Sequence, residues 1–194
     1  MSETDVKRLI VESATKFFSK YGFHKTTMDE IAKNIHKAKG VLYYYFKSKE
    51  ELFNEVLKQE LNGVKTELNK IIDSGKDSLI IIREYFLTRL KLLSTAVNYH
   101  ETLKADFFEK YDFVKDVRDD FAEFESTRLH QIFKKGNSDG YVDIKNLDST
   151  VNIVMMIVNS IELPLYLQNK YPEYEKTIDE LVTMIINSIK SNKK

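Results

Sequence analysis

Side chains with recognisable chemistry are concentrated in residues 27–53, TMDEIAKNIHKAKGVLYYYFKSKEELF, where hydroxyl, lysine and tyrosine side chains share one basic face. Lys39 can donate hydrogen bonds to guanine O6 or N7, and Val41 can pack on the methyl group of thymine. Lys49 stands in the first turn of a predicted helix, where its charge and the unpaired backbone N–H groups suit a phosphate. These residue types indicate a module that reads DNA.

A short helix must precede the residues that would read the bases. Thr27 and Glu30 form a capping box, in which the hydroxyl accepts from the backbone N–H three residues on and the carboxylate reaches back, so a helix begins at Met28. The helix is too short to be stable alone, and its narrow apolar face must pack on a neighbour. That face consists of Ile31, Ala32 and Ile35.

A second short helix follows after residues 36–38 interrupt the apolar spacing. We expect Lys39, Tyr43 and Tyr44 to point outward, whereas four apolar side chains can point inward. The inward set is Val41, Leu42, Tyr45 and Phe46. Two short helices joined by three residues predict a helix-turn-helix, whose second helix enters the major groove because only that groove admits a helix. Another capping box at Ser48 starts a long third helix.

A larger set of residues across about positions 6–55 has a specific spacing. The set is Ala14, Phe18, Gly22, Thr27, Ile31, Ala32, Gly40, Leu42, Tyr43, Phe46, Lys49 and Glu50. It resembles the amino-terminal signature of the TetR family of transcriptional regulators. Where the family usually has a turn glycine, a small hydroxyl residue opening the recognition helix and a histidine after the first tyrosine, this chain has His36, Ala38 and Tyr44. Histidine tolerates positive φ better than most residues, so the fold expectation stands, but no relative's operator sequence can be transferred.

The resemblance also implies roles on DNA for individual side chains. Thr27, Lys49, Tyr43 and Tyr44 would hold phosphates, and Lys39, Gly40 and Val41 would face base edges, with Lys37 and Ala38 beside them. The alternative for three consecutive tyrosines is that all fill the core, but neighbouring helical positions cannot share one face. We therefore expect Tyr43 and Tyr44 to face DNA and Tyr45 to point inward. For Lys39 the alternative is a solvated helix face.

The distribution of charge fits this interpretation. The chain has 30 Lys and Arg against 30 Asp and Glu, but residues 1–52 have 10 against 7, net +3, and the remainder has 20 against 23, net −3. Because affinity for DNA grows with the number of phosphates neutralised, one copy would bind weakly and a homodimer more tightly. We call the helix-turn-helix within residues 27–53 the reader. Two readers related by a two-fold axis would bind a pseudo-palindromic operator whose half-sites are about one helical turn, or a small multiple, apart.

The apolar spacing is helical almost throughout, and only 6 glycines and 2 prolines interrupt it, so we predict an all-α chain of about nine helices. A three-helix DNA-binding domain is expected at residues 1–50, followed by a helical effector-binding and dimerisation domain at residues 51–194. Helices beyond the reader are predicted at about 48–72, 77–97, 101–110, 112–136, 147–169 and 172–191. Gly136 is expected as a C′ residue before a loop over 136–146, and Pro172 in a first helical turn.

The last two predicted helices are unusually apolar for surface elements. Their apolar residues are Val151, Val154, Met155, Val158, Ile161 and Leu165 on one and Ile178, Leu181, Val182, Ile185, Ile186 and Ile189 on the other. Two such helices from each of two chains could form a four-helix bundle, which is also how the resembled family dimerises. The alternative is that they pack wholly within their own monomer.

The resemblance further implies a small-molecule pocket among the middle helices, whose occupancy alters the spacing of the two readers. The candidate contacts are Tyr85, Phe86, Arg89, His100, Phe107, Phe108, Tyr111, Phe124 and His130. Because aromatic residues dominate, the expected effector is a small apolar or aromatic molecule oriented by a few polar groups. The alternative is that this aromatic set is simply core.

Catalysis is disfavoured by the residues that the chain lacks. It has no cysteine, its 4 histidines form no HExxH pair, and no glycine-rich phosphate loop is present, so we expect no catalytic residue, metal or cofactor. Several carboxylates alternate with apolar residues and are interpreted as the solvent-exposed face of a helix. They are Asp119, Asp120, Glu123 and Glu125.

We expect a cytoplasmic protein without membrane association. We expect no apolar run that approaches membrane-spanning length. The start, MSETDVKRLIVESA, has acidic residues where a secretory signal would be basic. The alternative to a ligand-controlled repressor is an effector-independent DNA-binding protein of the same fold, acting as an architectural or cell-division factor.

Overall fold

The computed structural model describes residues 3–108 and 112–191, without the side chains between 104 and 111. Over these residues the chain forms nine α-helices, which confirms the all-α prediction. They are α1 (Glu3–Lys25), α2 (Met28–Asn34), α3 (Lys39–Tyr45), α4 (Lys49–Ile72), α5 (Ser78–Ser94), α6 (Val97–Phe108), α7 (Lys115–Ser138), α8 (Leu147–Glu162) and α9 (Tyr171–Ile189). A 3-10 turn (Asp112–Val114) precedes α7, and a π-helical turn (Leu163–Leu167) continues α8.

The chain divides into two compact units. The N-unit consists of Met1–Asn62 with Ala96–Arg118, and the C-unit of Gly63–Thr95 with Asp119–Lys194. The N-unit thus contains both reader helices, and it also takes in α6 from later in the chain.

Helix starts are found where the sequence carries a strong local signal. The hydroxyl of Thr27 accepts from the backbone N–H of Glu30 at 3.3 Å, and the Glu30 carboxylate accepts from the Thr27 N–H at 3.0 Å, so the capping box is confirmed. Pro172 lies in the first turn of α9, where its missing N–H is not needed. By contrast, α5 ends at Ser94 and α6 begins at Val97 rather than near residue 101.

The prediction that Gly136 is a C′ residue is wrong, because α7 continues through it to Ser138. A Cβ at Gly136 would lie 3.0 Å from Cγ2 of Val142, so glycine allows the returning chain to pack closely on the helix. The loop begins after Ser138, and Gly140 has a φ of 78°, in the left-handed region that glycine adopts without strain.

An aromatic cluster lies at the core of the N-unit. The rings of Phe18 and Phe53 meet edge to face with centroids 5.1 Å apart, and Phe23 lies 5.1 Å from both Phe53 and Phe113. Tilted and edge-on pairs at this distance are favourable beyond the area they bury. α1 bends at Gly22, whose φ is 80°, immediately before Phe23. The cluster therefore joins α1 to α4, the two helices that flank the reader.

The first turn of α6 is capped from another helix. Ala96 precedes α6 and has no side-chain acceptor, whereas Glu60 of α4 accepts from the backbone N–H of Tyr99 at 2.8 Å and of Asn98 at 3.4 Å. The Asn98 side-chain amide also donates to Glu60 and to Ser19 of α1. Burial raises the pKa of the Glu60 carboxyl, and these hydrogen bonds act in the opposite direction. The start of α6 thus depends on α4.

The most apolar segment of the C-unit is α8 with its π-helical turn. By length and composition Leu147–Leu167 could cross a membrane, at a mean hydropathy of 1.5, which corrects the prediction that no run approaches that length. Its only charged residues are Asp148 and Glu162. About a third of its most apolar 18-residue stretch is buried, and Val151 and Val158 lie on its inward face. The core helix of a soluble protein can be as long and as apolar, so one such segment is weak evidence for a membrane span.

Candidate functional site: a DNA-reading surface and a buried polar cluster

The second reader helix, α3, presents polar and aromatic side chains on one exposed face. The exposed set is Lys39, Gly40, Tyr43 and Tyr44. Tyr44 keeps 74% of its surface exposed, whereas Leu42 on the opposite face is completely buried and Phe46 is nearly so. Tyr45, which we expected to point inward, is half-buried. α3 is therefore anchored by Leu42 and leaves its outer face available.

The turn between α2 and α3 passes through the left-handed region at His36, whose φ is 53°. Ala38 then precedes α3 in an extended conformation and gives no side-chain cap, because it has no hydroxyl. Ala38 is exposed, whereas Lys37 before it and Val41 in the first turn of α3 are half-buried. A non-glycine residue in the left-handed region stores some backbone strain, and here it lies between the two reader helices.

Two of the predicted phosphate contacts have partners inside the protein. Thr27 Oγ1 accepts from the Glu30 N–H and donates to the Glu30 carboxylate at 2.7 Å. Lys49 Nζ donates to the carbonyl of Phe23 at 2.9 Å and lies 4.3 Å from the centre of the Phe23 ring. The capping residue Ser48 accepts from the Glu51 N–H at 3.1 Å, as predicted.

The most exposed tyrosine of the reader also has an intramolecular partner. The Tyr44 hydroxyl donates to the Glu3 carboxylate at 3.2 Å, and this hydrogen bond is the main reason that the pKa of Tyr44 is raised. On a DNA complex the Glu3 carboxylate would compete with a phosphate oxygen for that hydroxyl. It would also repel the phosphate chain.

Replacing Glu3 with glutamine is therefore expected to tighten binding to any DNA duplex by about threefold at low salt, because one repelling charge is removed from the binding surface. Fluorescence anisotropy with a labelled non-specific duplex measures the change. Glu12→Gln is the matched control, since Glu12 is an exposed α1 carboxylate paired with Arg8 at 3.7 Å, and a smaller effect is expected there. Equal affinities for the wild type and Glu3→Gln would contradict the prediction.

The candidate ligand contacts are distributed over both units. Tyr85, Phe86 and Arg89 of α5 are at most 1% exposed in the core of the C-unit, whereas His100 belongs to α6 in the N-unit. Phe124 is half-buried on α7, with two cationic side chains near its ring. Three further candidates, Phe107, Phe108 and Tyr111, lie outside the side chains that the structure describes.

Arg89 is the centre of a buried polar cluster that joins α5, α7 and α8. Its Nε and Nη2 donate to the two oxygens of Glu125, the second at 2.9 Å, and Nη2 also donates to Glu162 at 2.8 Å. The three charged side chains are at most 3% exposed. The Tyr85 hydroxyl donates to Glu125 at 3.5 Å, and burial raises the Tyr85 pKa well above its usual value. One cation therefore faces two carboxylates inside the C-unit.

Glu125 belongs to the buried polar cluster, which the pattern of carboxylates in α7 did not predict. The prediction of a solvent-exposed face is right for Asp119, Asp120 and Glu123, which are exposed. It is wrong for Glu125, which is 2% exposed. The spacing contained the signal, because Glu125 stands four residues from both Phe121 and Leu129, which are buried on the same helix face. Glu162 follows buried Val158 by the same interval.

His130 links α7 to α8 near the surface of the C-unit. Its Nδ1 donates to the Ser126 carbonyl at 2.8 Å, and Nε2 lies 2.9 Å from the Asp148 carboxylate. These two hydrogen bonds raise the pKa of His130. Among the residues that the structure describes, no group of three or more His, Asp or Glu side chains is arranged to hold a metal.

Comparison with known proteins gives matches over the reader and over nearly the whole chain. Residues 10–56 match the family model described as bacterial regulatory proteins, tetR family. The chain is 30% identical over 170 residues to the HTH-type transcriptional regulator QacR of Staphylococcus aureus, covering 85% of this chain and 88% of QacR. It is 42% identical over 69 residues to the HTH-type transcriptional regulator YhgD of Bacillus subtilis, 36% of each chain. A transcriptional regulator from Cytophaga hutchinsonii has a crystal structure with a TM-score of 0.78 at 26% identity, covering 95% of this chain and 98% of that one. These relatives are regulators of transcription and not enzymes.

Proposed function

The chain belongs to the TetR family of bacterial transcriptional regulators, and we propose that it is a cytoplasmic repressor that binds a pseudo-palindromic operator as a homodimer. The observation that carries the proposal is the outer face of α3, where Lys39, Tyr43 and Tyr44 are exposed above a completely buried Leu42. An anchored helix with an outward polar face fits the major groove of double-stranded DNA. We assign the DNA-binding role to residues 1–50 and the effector-binding and dimerisation roles to residues 51–194.

Within this proposal Tyr43 and Tyr44 hold phosphates, and Lys39, Gly40 and Val41 face base edges. The exposure of the two tyrosines supports the first role, since a core-filling aromatic run would be buried. The exposure of Lys39 and Gly40 supports the second, because a helix approaches base edges most closely where its side chains are small or extended. Thr27 and Ala38 are exposed and Lys37 is half-buried, and we assign them to the same DNA-binding surface.

The proposed dimer uses α8 and α9. The inward faces of these helices are buried within the monomer, yet Ile153, Met156 and Met184 remain 56%, 70% and 69% exposed. A groove of about 480 Å³ that Met184 helps to line has a mostly apolar lining, which also includes Ile161, Leu165 and Leu181. Packing within one chain therefore leaves apolar surface that two such helices from a second copy would cover in a four-helix bundle.

The proposed effector is a small apolar or aromatic molecule that releases the operator. Tyr85 and Phe86 supply aromatic surface close to Arg89, whose Nη1 has no hydrogen-bond partner among the described residues although it is buried. A buried donor without an acceptor is unfavourable, so an acceptor atom on the ligand would satisfy it. By linkage, an effector that favours a reader spacing unable to span two half-sites must bind DNA-bound protein more weakly, by the same factor.

Selection of duplexes from a random DNA pool tests the proposed function most directly. We expect a recovered pseudo-palindrome whose half-sites are centred about one helical turn, or a small multiple, apart. Recovery of a single asymmetric half-site would contradict the dimer, and failure to enrich any sequence at low ionic strength would contradict sequence-specific DNA binding.

The two roles on α3 give a paired prediction. Tyr43→Phe removes one phosphate hydrogen bond and is expected to weaken binding to all duplexes alike, by about fivefold. Lys39→Ala is expected to weaken operator binding by about tenfold or more and also to relax preference at one base position. Repeating the selection with each variant measures both effects. A change in sequence preference for Tyr43→Phe would mean that the DNA-facing side of α3 has been assigned wrongly.

One observation favours a second candidate, an effector-independent DNA-binding architectural or cell-division factor of the same fold. Tyr85, Phe86 and Phe133 are at most 1% exposed, as expected for residues that simply fill a core. Titration of a protein–operator complex with a library of apolar and aromatic compounds separates the two candidates. Release by any compound at low micromolar concentration supports the sensor, and release by none supports the architectural factor.

A further inference from the structure

We propose that Tyr43 is a positioning residue for base readout, because its aromatic ring holds the Lys39 ammonium group in one direction on the outer face of α3. This inference rests on the proposed DNA-binding function and deepens it. It gives the ring of Tyr43 a part in specificity, in addition to the phosphate contact proposed for its hydroxyl.

Lys39 and Tyr43 are in contact on the exposed side of α3. Lys39 Nζ lies 5.7 Å from the centre of the Tyr43 ring, within the distance of about 6 Å at which an aromatic face attracts an ammonium group. The two residues are four positions apart in the helix, so their side chains are neighbours on its surface. Both side chains are exposed, and the pair therefore belongs to the surface that is proposed to meet DNA.

The other neighbours of Lys39 on α3 do not restrain its side chain. Leu42, three positions further on, is completely buried and faces the core. Gly40 has no side chain, and a Cβ built there would meet no atom within 4 Å outside the adjacent residues and the helix backbone. The Tyr43 ring is therefore the group on α3 that can orient Lys39.

The charge of Lys39 is not neutralised by a carboxylate of the reader. Asp29 of α2 is hydrogen-bonded to Lys33 at 2.7 Å, and this bond is the main reason that the pKa of Asp29 is lowered, with a smaller contribution from the charge of Lys39. Within the part of the chain that the structure describes, Lys39 forms no ion pair. Its ammonium group is therefore available to a base edge.

The direction of a lysine matters because its four-carbon stem is flexible. An unrestrained ammonium group occupies many rotamers and must be ordered before it donates to guanine O6 or N7. The group has three N–H donors, so contact with a ring leaves donors for a base. At an exposed site the contact shifts the population toward one direction by about two- to fivefold, and it strengthens when DNA excludes water.

The first test compares Tyr43→Leu, which removes the ring and the hydroxyl, with Tyr43→Phe, which removes only the hydroxyl. We expect both to weaken binding to all duplexes, because both lose the phosphate contact. Only Tyr43→Leu should also lower discrimination, by about threefold, at the base pair where Lys39→Ala relaxes preference. Selection from the random DNA pool identifies that base pair, and titration of the operator and its single-base variants measures the loss.

Combination with Lys39→Ala sharpens this test. If the ring acts through Lys39, Tyr43→Leu should lower discrimination at that base pair no further once Lys39 is alanine. Leucine is a good helix former, so α3 should be retained. Unchanged discrimination for Tyr43→Leu, an equal loss for Tyr43→Phe, or an additive loss in the double variant would each overturn the positioning role.

Tyr44→Leu is the matched control for Tyr43→Leu. Tyr44 is the next residue and is 74% exposed, but its ring packs edge-on against Tyr45, with centroids 5.1 Å apart. We expect this variant to weaken binding to all duplexes alike and to keep the base preference. A loss of discrimination as large as that of Tyr43→Leu at the same base pair would overturn the specific role of the Tyr43 ring.

A second test measures the contact itself in DNA-free protein. The ring current of Tyr43 should shift the ε-methylene protons of Lys39 upfield of those of Lys47, which is also exposed. NMR of protein with 13C-labelled lysine detects these signals, and Lys39→Arg assigns the Lys39 signal by its loss. The upfield shift should persist in Tyr43→Phe and disappear in Tyr43→Leu. Equal shifts for Lys39 and Lys47 in the wild type would refute the contact.

The two tests distinguish a failure of this inference from a failure of the proposed function. Failure of the selection to enrich any sequence contradicts DNA recognition as a whole, whatever the NMR spectra show. An operator that is recovered by wild-type protein, and recovered with the same preference by Tyr43→Leu, contradicts the positioning role alone.

Discussion

Replacement of Arg89 with methionine is expected to lower the free energy of unfolding by about 3–5 kcal/mol, because it leaves two buried carboxylates without their cation. Glu125 and Glu162 are at most 3% exposed, so neither carboxylate can turn toward water without opening the packing of α7 or α8. For a chain of this length the loss corresponds to a fall in melting temperature of about 6–20 °C. Urea denaturation followed by circular dichroism measures the change.

The control for that prediction removes all three charges together. The triple variant Arg89→Met, Glu125→Met, Glu162→Met replaces the polar cluster with apolar side chains and should recover most of the lost stability, because no unpaired charge remains buried. A single Arg89→Met variant as stable as the wild type would show that the cluster does not hold α5, α7 and α8 together.

Replacement of Met184 with lysine is expected to convert the proposed dimer to monomer and to lower operator affinity by at least about 100-fold, because the second half-site is then no longer bound at high effective concentration. Met184 is 69% exposed on α9, so the change should alter monomer stability little. Analytical ultracentrifugation gives the oligomeric state, and anisotropy titration gives the affinity.

Ile80→Lys is the matched control for Met184→Lys. Ile80 is also an exposed apolar residue, at 47% of its surface, but it lies on α5 and takes no part in the proposed interface. This variant should stay dimeric and keep its operator affinity. A dimeric Met184→Lys protein that binds the operator normally would remove α9 from the interface.

The features that could be predicted from the sequence are those set by residues close together in the chain. The capping box of Thr27, the start of α4 and the place of Pro172 each depend on a few neighbouring residues, and the structure contains all three. The helical spacing around Leu42 likewise predicted the burial of Leu42 and the exposure of Tyr43 and Tyr44, whereas Val41 and Tyr45, which were expected to point inward, are half-buried.

What could not be predicted depends on partners distant in the chain. Lys49 has the residue type and position of a phosphate contact, and its engagement with Phe23, 26 residues earlier, is visible only in three dimensions. Glu125 looked like one more solvated carboxylate because its partner Arg89 is 36 residues away. Gly136 was assigned to a helix end because glycine is common there, whereas the close approach of Val142 explains its presence inside α7.

The cap that Glu60 supplies to α6 comes from a residue that is synthesised earlier than α6. The carboxylate of Glu60 is therefore already part of the chain when Asn98 and Tyr99 are added. A fragment that begins after α4 would contain the α6 sequence but not the Glu60 carboxylate that accepts from the backbone N–H groups of Asn98 and Tyr99. The first turn of α6 should fray in that fragment. The start of α6 is therefore inherited from the amino-terminal half of the polypeptide and is not encoded beside it.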